Sequence, residues 1–563
     1  MSYNKDFVKN EAAIEESLYK RYNIYNIIYA KVMVYLKKVL SFLLIFVLIS
    51  SVFPTVSHAD DSLDEIKYWL NKDYVEPLRG DVLNSTDIDD LMDKIDDPYT
   101  TYMTPKELNA FIGSIEMQYV GIGVVIEQVP EGIMILSVFE GSGASEAGLL
   151  PGDIITEVDG CPLAGIDADA AITYISGDEG TYVSLTVKRG GEILCLKIER
   201  RKIDIPTIQH AMLDGKIGYI DIMSFGTDTA KRFEKAVLSM EQKGVKGYII
   251  DLRGNGGGYL NTALELAGFF IDDNVAINTR NKTSEGEYRA ILQKVRIEKP
   301  VIVLADEYSA SASEAFIGAI RDYDKAYIVG NTTFGKGCMQ NMYFLSNGGA
   351  IKLTTDYFFT PNGRTINKVG LPPDISIEGQ DAQMIAAYLL QTGGSEAKKG
   401  IVGIDMGGSI FGVNLNLARQ PKFWTSYAEL IKGAVAGGKK IYAGTDTGWN
   451  GDLFKEDDIA TWYYPGYDVL SPLYDVDTDK KFLISFNKEV DRSTLDNNIE
   501  LIEIATGARV EYDIVEFTGD KVKIAPANML KSNEEYIVVM HGDIRSTGGQ
   551  KLKDGAICHI RTK

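Results

Sequence analysis

Three short segments hold side chains that could carry out covalent chemistry. "EYSASASEAF", Glu307 to Phe316, sets Ser309, Ser311 and Ser313 at alternate positions ahead of Glu314. "NTTFGKGCMQ", Asn331 to Gln340, places Lys336 and Cys338 among glycines. "DLRGNGGGY", Asp251 to Tyr259, is a glycine-rich turn that could aim backbone N–H groups at a developing oxyanion. A serine hydroxyl becomes a nucleophile only beside a base. The chain has four histidines, and with His58 in an N-terminal leader a catalytic imidazole must come from His210, His541 or His559. A lysine can serve instead if burial lowers its pKa by roughly three units, about 4 kcal/mol.

Each segment also has a plainer reading. Ser311-Ala312-Ser313-Glu314 fits the S-x-x-E capping box that closes the free N–H groups of a helix start. Gly330-(x)4-Gly335-Lys336 approaches a phosphate-binding loop, yet Gly337 stands where a Mg²⁺-binding Ser or Thr is required, and "MQNMYF" reads as strand rather than helix. Cys338 is a competing nucleophile beside Lys336, and lysines are usually solvated. If the chain is extended after Gly335, period two sets Lys336, Cys338 and Gln340 on one face.

The elements needed to position these groups follow from the pattern. Between about 204 and 391, "KIGYIDIMSF", "KGYIIDLRG", "KPVIVLAD" and "KAYIVG" are buried-type strands. They alternate with helical runs over Thr227–Lys243, Leu260–Phe270 and Glu314–Arg321, which implies a parallel β/α layer. Residues 60–118 read as a helical domain with a turn at "DDPYTTYMTP". Residues 119–203 are short strands and Gly/Pro turns, with "GIGV" (Gly121, Ile122, Gly123, Val124) ahead of a strand and "GSGASEAGLLPGDIITEVDG" after it. That region resembles a PDZ domain, whose loop takes a peptide's C-terminal carboxylate on backbone N–H groups while the peptide adds as a strand. Residues 469–563 carry evenly spaced strands and resemble a bacterial Ig-like β-sandwich. Residues 392–468 are Gly-rich and carry no assignable pattern.

Taken in order, "DLRGNGGG", "SASASE" and "TFGKGCMQ", between a PDZ-like domain and "TPNGRTINKVGLPPDI", resemble the carboxyl-terminal processing (tail-specific) proteases of peptidase family S41. The resemblance runs from about Ser62 to Gln391 and includes "DDPYTTYM". It implies a multidomain α/β protein with a ClpP/crotonase-like core, in which Ser311 is the nucleophile, Lys336 the general base and Gln340 the residue that holds Lys336. The same resemblance implies an oxyanion hole from the N–H groups of Gly257 and Ala312, with no metal or cofactor. Cys338 stands where the family often has Ser, a position outside the nucleophile.

Bulk properties agree with several folded domains. The 563 residues exceed one core, and 45% hydrophobic with 24% charged residues is a globular balance. A net charge of −21 without a basic block opposes nucleic acid and anionic membrane surfaces. Cys161, Cys195, Cys338 and Cys558 match no metal spacing; a Cys161–Cys195 bridge is one reading, small buried apolar residues the other. At the N-terminus Lys37-Lys38, an apolar run from Val39 to Phe53 and Ser57-His58-Ala59 form a secretory signal over residues 1–59, with Met33 a natural start. The run is shorter than the roughly 20 residues of a membrane span, so membrane contact is expected to be transient and the protein exported. The expected substrates are proteins with free apolar C-terminal tails, and assembly into homo-oligomers fits the resemblance. An inactive PDZ and Ig-like surface adaptor is the alternative from another class.

Overall fold

The computed structural model describes residues 61–455 and 458–563, so the signal-peptide reading lies outside the described residues. Two sheets form the central core. The first runs Ile208–Leu213, Ile217–Ile222, Gly247–Asp251, Val301–Ala305, Tyr327–Gly330 and Ile375–Ser376; only its first pair is antiparallel. The strands Gly247–Asp251 and Val301–Ala305 are buried at every residue, as expected when helices cover both faces. Period two divides them. Tyr248, Ile250, Val301 and Val303 pack with Phe233, Phe269, Phe270 and Phe316 from the helices Thr229–Gln242, Leu260–Ile271 and Ala312–Asp322. Ile249, Ile302 and Leu304 face the other way, onto Ala386, Leu389, Trp424 and Leu430 of the helices Gln380–Leu390 and Pro421–Ala436.

The second sheet is built on the long strand Ala350–Phe359, which pairs with Cys338–Phe344, Val275–Arg280 and the short strand Thr101–Met103. That short strand lies inside the segment read from sequence as a turn. Its partners are 350–352, and an edge 250 residues away in the chain leaves no local signature. The helices Asp61–Asp73 and Ile88–Lys94 put Ile66, Leu70 and Leu91 against Ile351 and Leu353 of the same long strand, so the helical segment shares its core with the second sheet. The helix Pro105–Ile115 then leads out, opened by Thr104, whose N–H is accepted by Glu107 (2.9 Å).

A two-stranded ribbon, Gln118–Gly121 with Arg201–Asp204, is the entry and exit of an antiparallel sheet ordered Val124–Val129, Gly132–Val138, Ile154–Val158, Tyr182–Arg189, Glu192–Glu199. The helix Ala168–Ile175 packs beside the edge strand Val124–Val129, whose outer edge pairs with no described strand. Cys161 and Cys195 are free and exposed in this sheet, which corrects both the bridge and the buried-residue readings for that pair.

The Gly-rich segment without sequence assignment folds into a four-stranded antiparallel sheet, Ile410–Asn414, Ile401–Asp405, Lys440–Thr445 and Gly448–Asn450, around the helix Pro421–Ala436. Trp424 stacks on Tyr463 with centroids 3.6 Å apart, and its indole N–H donates to Ile504 O in the last domain (2.6 Å). That domain is a sandwich of a four-stranded sheet (Asp468–Val476, Ala556–Thr562, Glu535–Met540, Ile499–Glu503) and a three-stranded sheet (Phe482–Ser485, Lys521–Pro526, Tyr512–Phe517).

Candidate active site

The parallel sheet ends in two turns that meet. After Asp251 the chain folds back, and the Arg253 guanidinium grips its own strand end, donating to both Asp251 oxygens (2.9 and 2.6 Å) and to Gln380 O (2.6 Å). Asn255, fully buried, donates from Nδ2 to Ile222 O (2.7 Å) and accepts from the Gly257 N–H (2.8 Å). Its carbonyl receives the Ala310 N–H (3.0 Å) and the Ser313 hydroxyl (2.9 Å), tying the glycine turn to the serine turn. Gly257 has φ +105°, and a Cβ there would lie 2.8 Å from Ala310 O and 3.0 Å from Ser311 Cβ. Only glycine fits so close to that serine.

The three alternate serines have different fates. Ser309 and Ser313 are fully buried and donate to the carbonyls of Leu252 (2.8 Å) and Asn255. Ser311 is half-buried and caps the helix Ala312–Asp322 with φ +58° and ψ −113°. A side chain with Cβ rarely adopts this conformation, which costs of order 1–3 kcal/mol and recurs where a strand-to-helix turn lifts a nucleophile out of the chain.

Glu314 lies wholly buried and joins the serine turn to the lysine loop. Its carboxylate accepts from the Ser311 N–H (2.9 Å), the Thr333 hydroxyl (2.6 Å), the Gly335 N–H (2.7 Å) and the Lys336 N–H (2.8 Å). Burial pushes this carboxyl up, against the pull of those donors. The same bonds remove the phosphate-loop reading, because the N–H groups that would cradle a phosphate are given to a carboxylate, and the chain continues as the strand Cys338–Phe344. Behind the loop, the Lys368 N–H donates to Gly335 O (2.7 Å), and a Cβ on Gly337 would meet Asn367 N at 2.2 Å.

Lys336 precedes the strand rather than standing on it, so the period-two face starts only at Cys338. It is half-buried, and burial pushes its ammonium below the ordinary lysine range, opposed by Cys338, Glu314 and Asp97. Its Nζ stands over the Tyr99 ring, 5.1 Å from the centroid. Lys352, on the neighbouring strand, is pushed down to about 8, first by burial and then by the charge of Lys336. Cys338 is buried and its thiol is pushed up to about 11, so at neutral pH it is protonated and a poor nucleophile.

Two expectations about bonding are corrected here. Gln340 does not hold Lys336: its amide donates to Cys338 O (3.0 Å) and Sγ (3.1 Å). The Gly257 N–H, expected to face an oxyanion, is taken by Asn255, although Gly257 does lie against Ala312, a Cβ on it falling 2.9 Å from Ala312 N. Ala312 is the first residue of its helix, where the N–H has no intrahelical acceptor. Sequence reasoning missed the roles of Asn255, Thr333 and Tyr99; the only signal was their presence inside the quoted motifs.

Just ahead of the strand Val124–Val129, Ile122 O accepts from Ala144 N (2.8 Å) and Gly123 O from Phe139 N (2.9 Å). Gly123 has φ +84°, and a Cβ on it would lie 2.2 Å from that of Ser142. Gly121 ends the ribbon strand and Val124 begins the open edge strand, so the four loop residues lead directly into that edge.

Comparison with known proteins agrees with this anatomy. Residues 216–377 match Peptidase family S41, residues 120–199 a PDZ domain and residues 473–557 a bacterial Ig-like domain. The chain therefore carries an S41 peptidase domain preceded by a PDZ domain and followed by an Ig-like module. It is similar to the "Probable CtpA-like serine protease" of Staphylococcus epidermidis, 35% identical over 322 residues, 56% of this chain and 65% of the relative. The protein of the same description in Staphylococcus aureus is 35% identical over 324 residues, 56% of this chain and 64% of that one. The chain thus spans just under two thirds of the length of these curated relatives. Among solved structures, a photosystem II D1 C-terminal processing protease aligns with a TM-score of 0.38 at 24% identity, covering 60% of this chain and 95% of that one.

Proposed function

We propose that the protein is an exported serine endopeptidase that takes apolar C-terminal tails on its PDZ domain and cleaves the attached polypeptide with Ser311 as nucleophile and Lys336 as base. The observation that carries this reading is the buried Glu314 carboxylate, which fixes the strained backbone of Ser311 and the backbone of Lys336 to one point. Lys336, neutral when it acts, takes the Ser311 proton as Oγ attacks a peptide carbonyl. The resulting tetrahedral oxyanion is met by the Ala312 N–H at the positive end of its helix; the Lys336 ammonium returns the proton to the leaving amine as the C–N bond breaks, and water, giving its proton to Lys336, then hydrolyses the acyl-enzyme and restores the Ser311 hydroxyl. The Ig-like module is suited to holding the enzyme at a surface or partner.

The test is cleavage of an unfolded protein by residues 60–563, set against Ser311→Ala and Lys336→Ala. Both substitutions are expected to abolish it; equal inactivity of wild type and variants would hand the lead to the adaptor reading. A peptide ending in a free apolar carboxylate is expected to be cut faster than its amidated twin, and Gly123→Val, which drives a side chain into Ser142, should erase the difference.

The base also predicts a pH profile. Because only neutral Lys336 accepts a proton, kcat/KM should rise with pH to a plateau, with its midpoint below the ordinary lysine value of 10.5. Lys352 gives up its own proton near 8 beside the charged Lys336, whereas an arginine there keeps its charge, so the midpoint should lie at lower pH in Lys352→Arg than in Lys352→Met.

A further inference from the structure

Tyr99 belongs to the turn that precedes the strand Thr101–Met103, outside the sheet that carries the serine. Hydrogen bonds hold that turn on both sides. Asp97 accepts the Tyr99 N–H (2.9 Å) and the Thr100 hydroxyl (2.6 Å). The Thr354 N–H donates to Thr100 Oγ1 (3.1 Å), and Thr354 pairs with Gln340 across the second sheet. The ring is thereby set at the base, with Lys336 Nζ 5.1 Å from its centroid.

We infer that Tyr99 is a positioning residue for Lys336: its ring face receives the ammonium and keeps the side chain in the site, so the helical N-terminal segment completes the catalytic machinery. The inference rests on the Ser311–Lys336 reading. An aromatic face attracts the charged form alone, so Tyr99 favours the ammonium while burial disfavours it. Glu314 from the nucleophile helix, Asp97 from the Tyr99 turn, Cys338 and Lys352 from the second sheet also face the group. Burial pushes the Tyr99 phenol up, so the ring stays neutral and its hydroxyl adds no charge.

Tyr99→Leu keeps an apolar cover and removes the π face; Tyr99→Phe keeps both. In the full exported chain, competitive acetylation of Lys336, followed by mass spectrometry from neutral to alkaline pH, reads its titration without needing activity. Wild type and Tyr99→Phe should coincide, and Tyr99→Leu should titrate about half a pH unit lower. The same displacement should appear in the rising limb of kcat/KM. If Leu is unfolded by thermal melting, Tyr99→Met serves as the ring-free variant. Coincidence of the ring-free variant with wild type, or a shift as large in Tyr99→Phe, overturns the inference. Cleavage that survives Lys336→Ala instead overturns the Ser–Lys reading, and Tyr99's part in catalysis falls with it whatever the labelling shows.

Discussion

Ser311→Gly is expected to lose peptide cleavage by about 10,000-fold or more and yet to unfold at a higher temperature than the wild type. The first effect is loss of the attacking oxygen. The second follows from φ +58°, ψ −113° at a residue with a Cβ. Relief of that strain is worth of order 1–3 kcal/mol, and the greater freedom of glycine in the unfolded chain returns roughly 0.5–1 of it. A net gain of about 1 kcal/mol should raise the melting temperature by roughly 2–4 °C for a unit of this size. Ser311→Ala is the control, since it removes the oxygen and keeps the Cβ: equal inactivity without the gain is expected. Melting temperatures that match for Gly and Ala would mean that the turn stores no strain at Ser311, and the argument from its backbone would fail.

The sequence disclosed the core strands because a strand buried on both faces is an unbroken apolar run, as in "YIID" and "VIVLA". It disclosed the PDZ-like and Ig-like sheets through short strand-like runs set off by regularly spaced turns. Asp468–Val476 escaped because it is exposed along nearly its whole length and shows no alternation. The 392–468 segment escaped because its strands are short, broken by glycine and held by the Trp424 and Tyr463 stack, which has no period. At the site, the family resemblance supplied Ser311 and Lys336, and the local pattern S-x-x-E correctly marked a helix start. Nothing in four residues could show that Glu314 also accepts from Thr333, Gly335 and Lys336, because those donors arrive from the next strand's exit loop. The partners of the Gln340 amide and of the Gly257 N–H were misjudged for a related reason: sequence gives the group, while its partner is chosen by packing.

Glu314→Ala should be the most damaging substitution at this site that leaves both Ser311 and Lys336 in place. It strands three backbone N–H groups and the Thr333 hydroxyl, all against a buried position. Each unsatisfied donor costs about 1–3 kcal/mol before water enters, so a loss of at least roughly 3 kcal/mol in unfolding free energy is expected. Cleavage should fall by about 100-fold or more, because a displacement near 1 Å between nucleophile and base is enough for that. Thr333→Val, which removes one donor from Glu314 and strands the Leu371 N–H that donates to the Thr333 hydroxyl (2.8 Å), should cost about 2–3 kcal/mol and leave most activity. The pH dependence separates support from charge. Burial raises the Glu314 pKa above its unfolded value, so ionising it in the fold costs stability as pH rises through the folded value. Glu314→Gln lacks that cost, so wild type should lose ground to Gln as pH rises above about 4.5, while Gln still cleaves less well because its amide N–H₂ faces other donors. If Glu314→Ala melts like the wild type and cleaves like it, the carboxylate does not join the two halves of the site, and Ser311 and Lys336 are held together by something else.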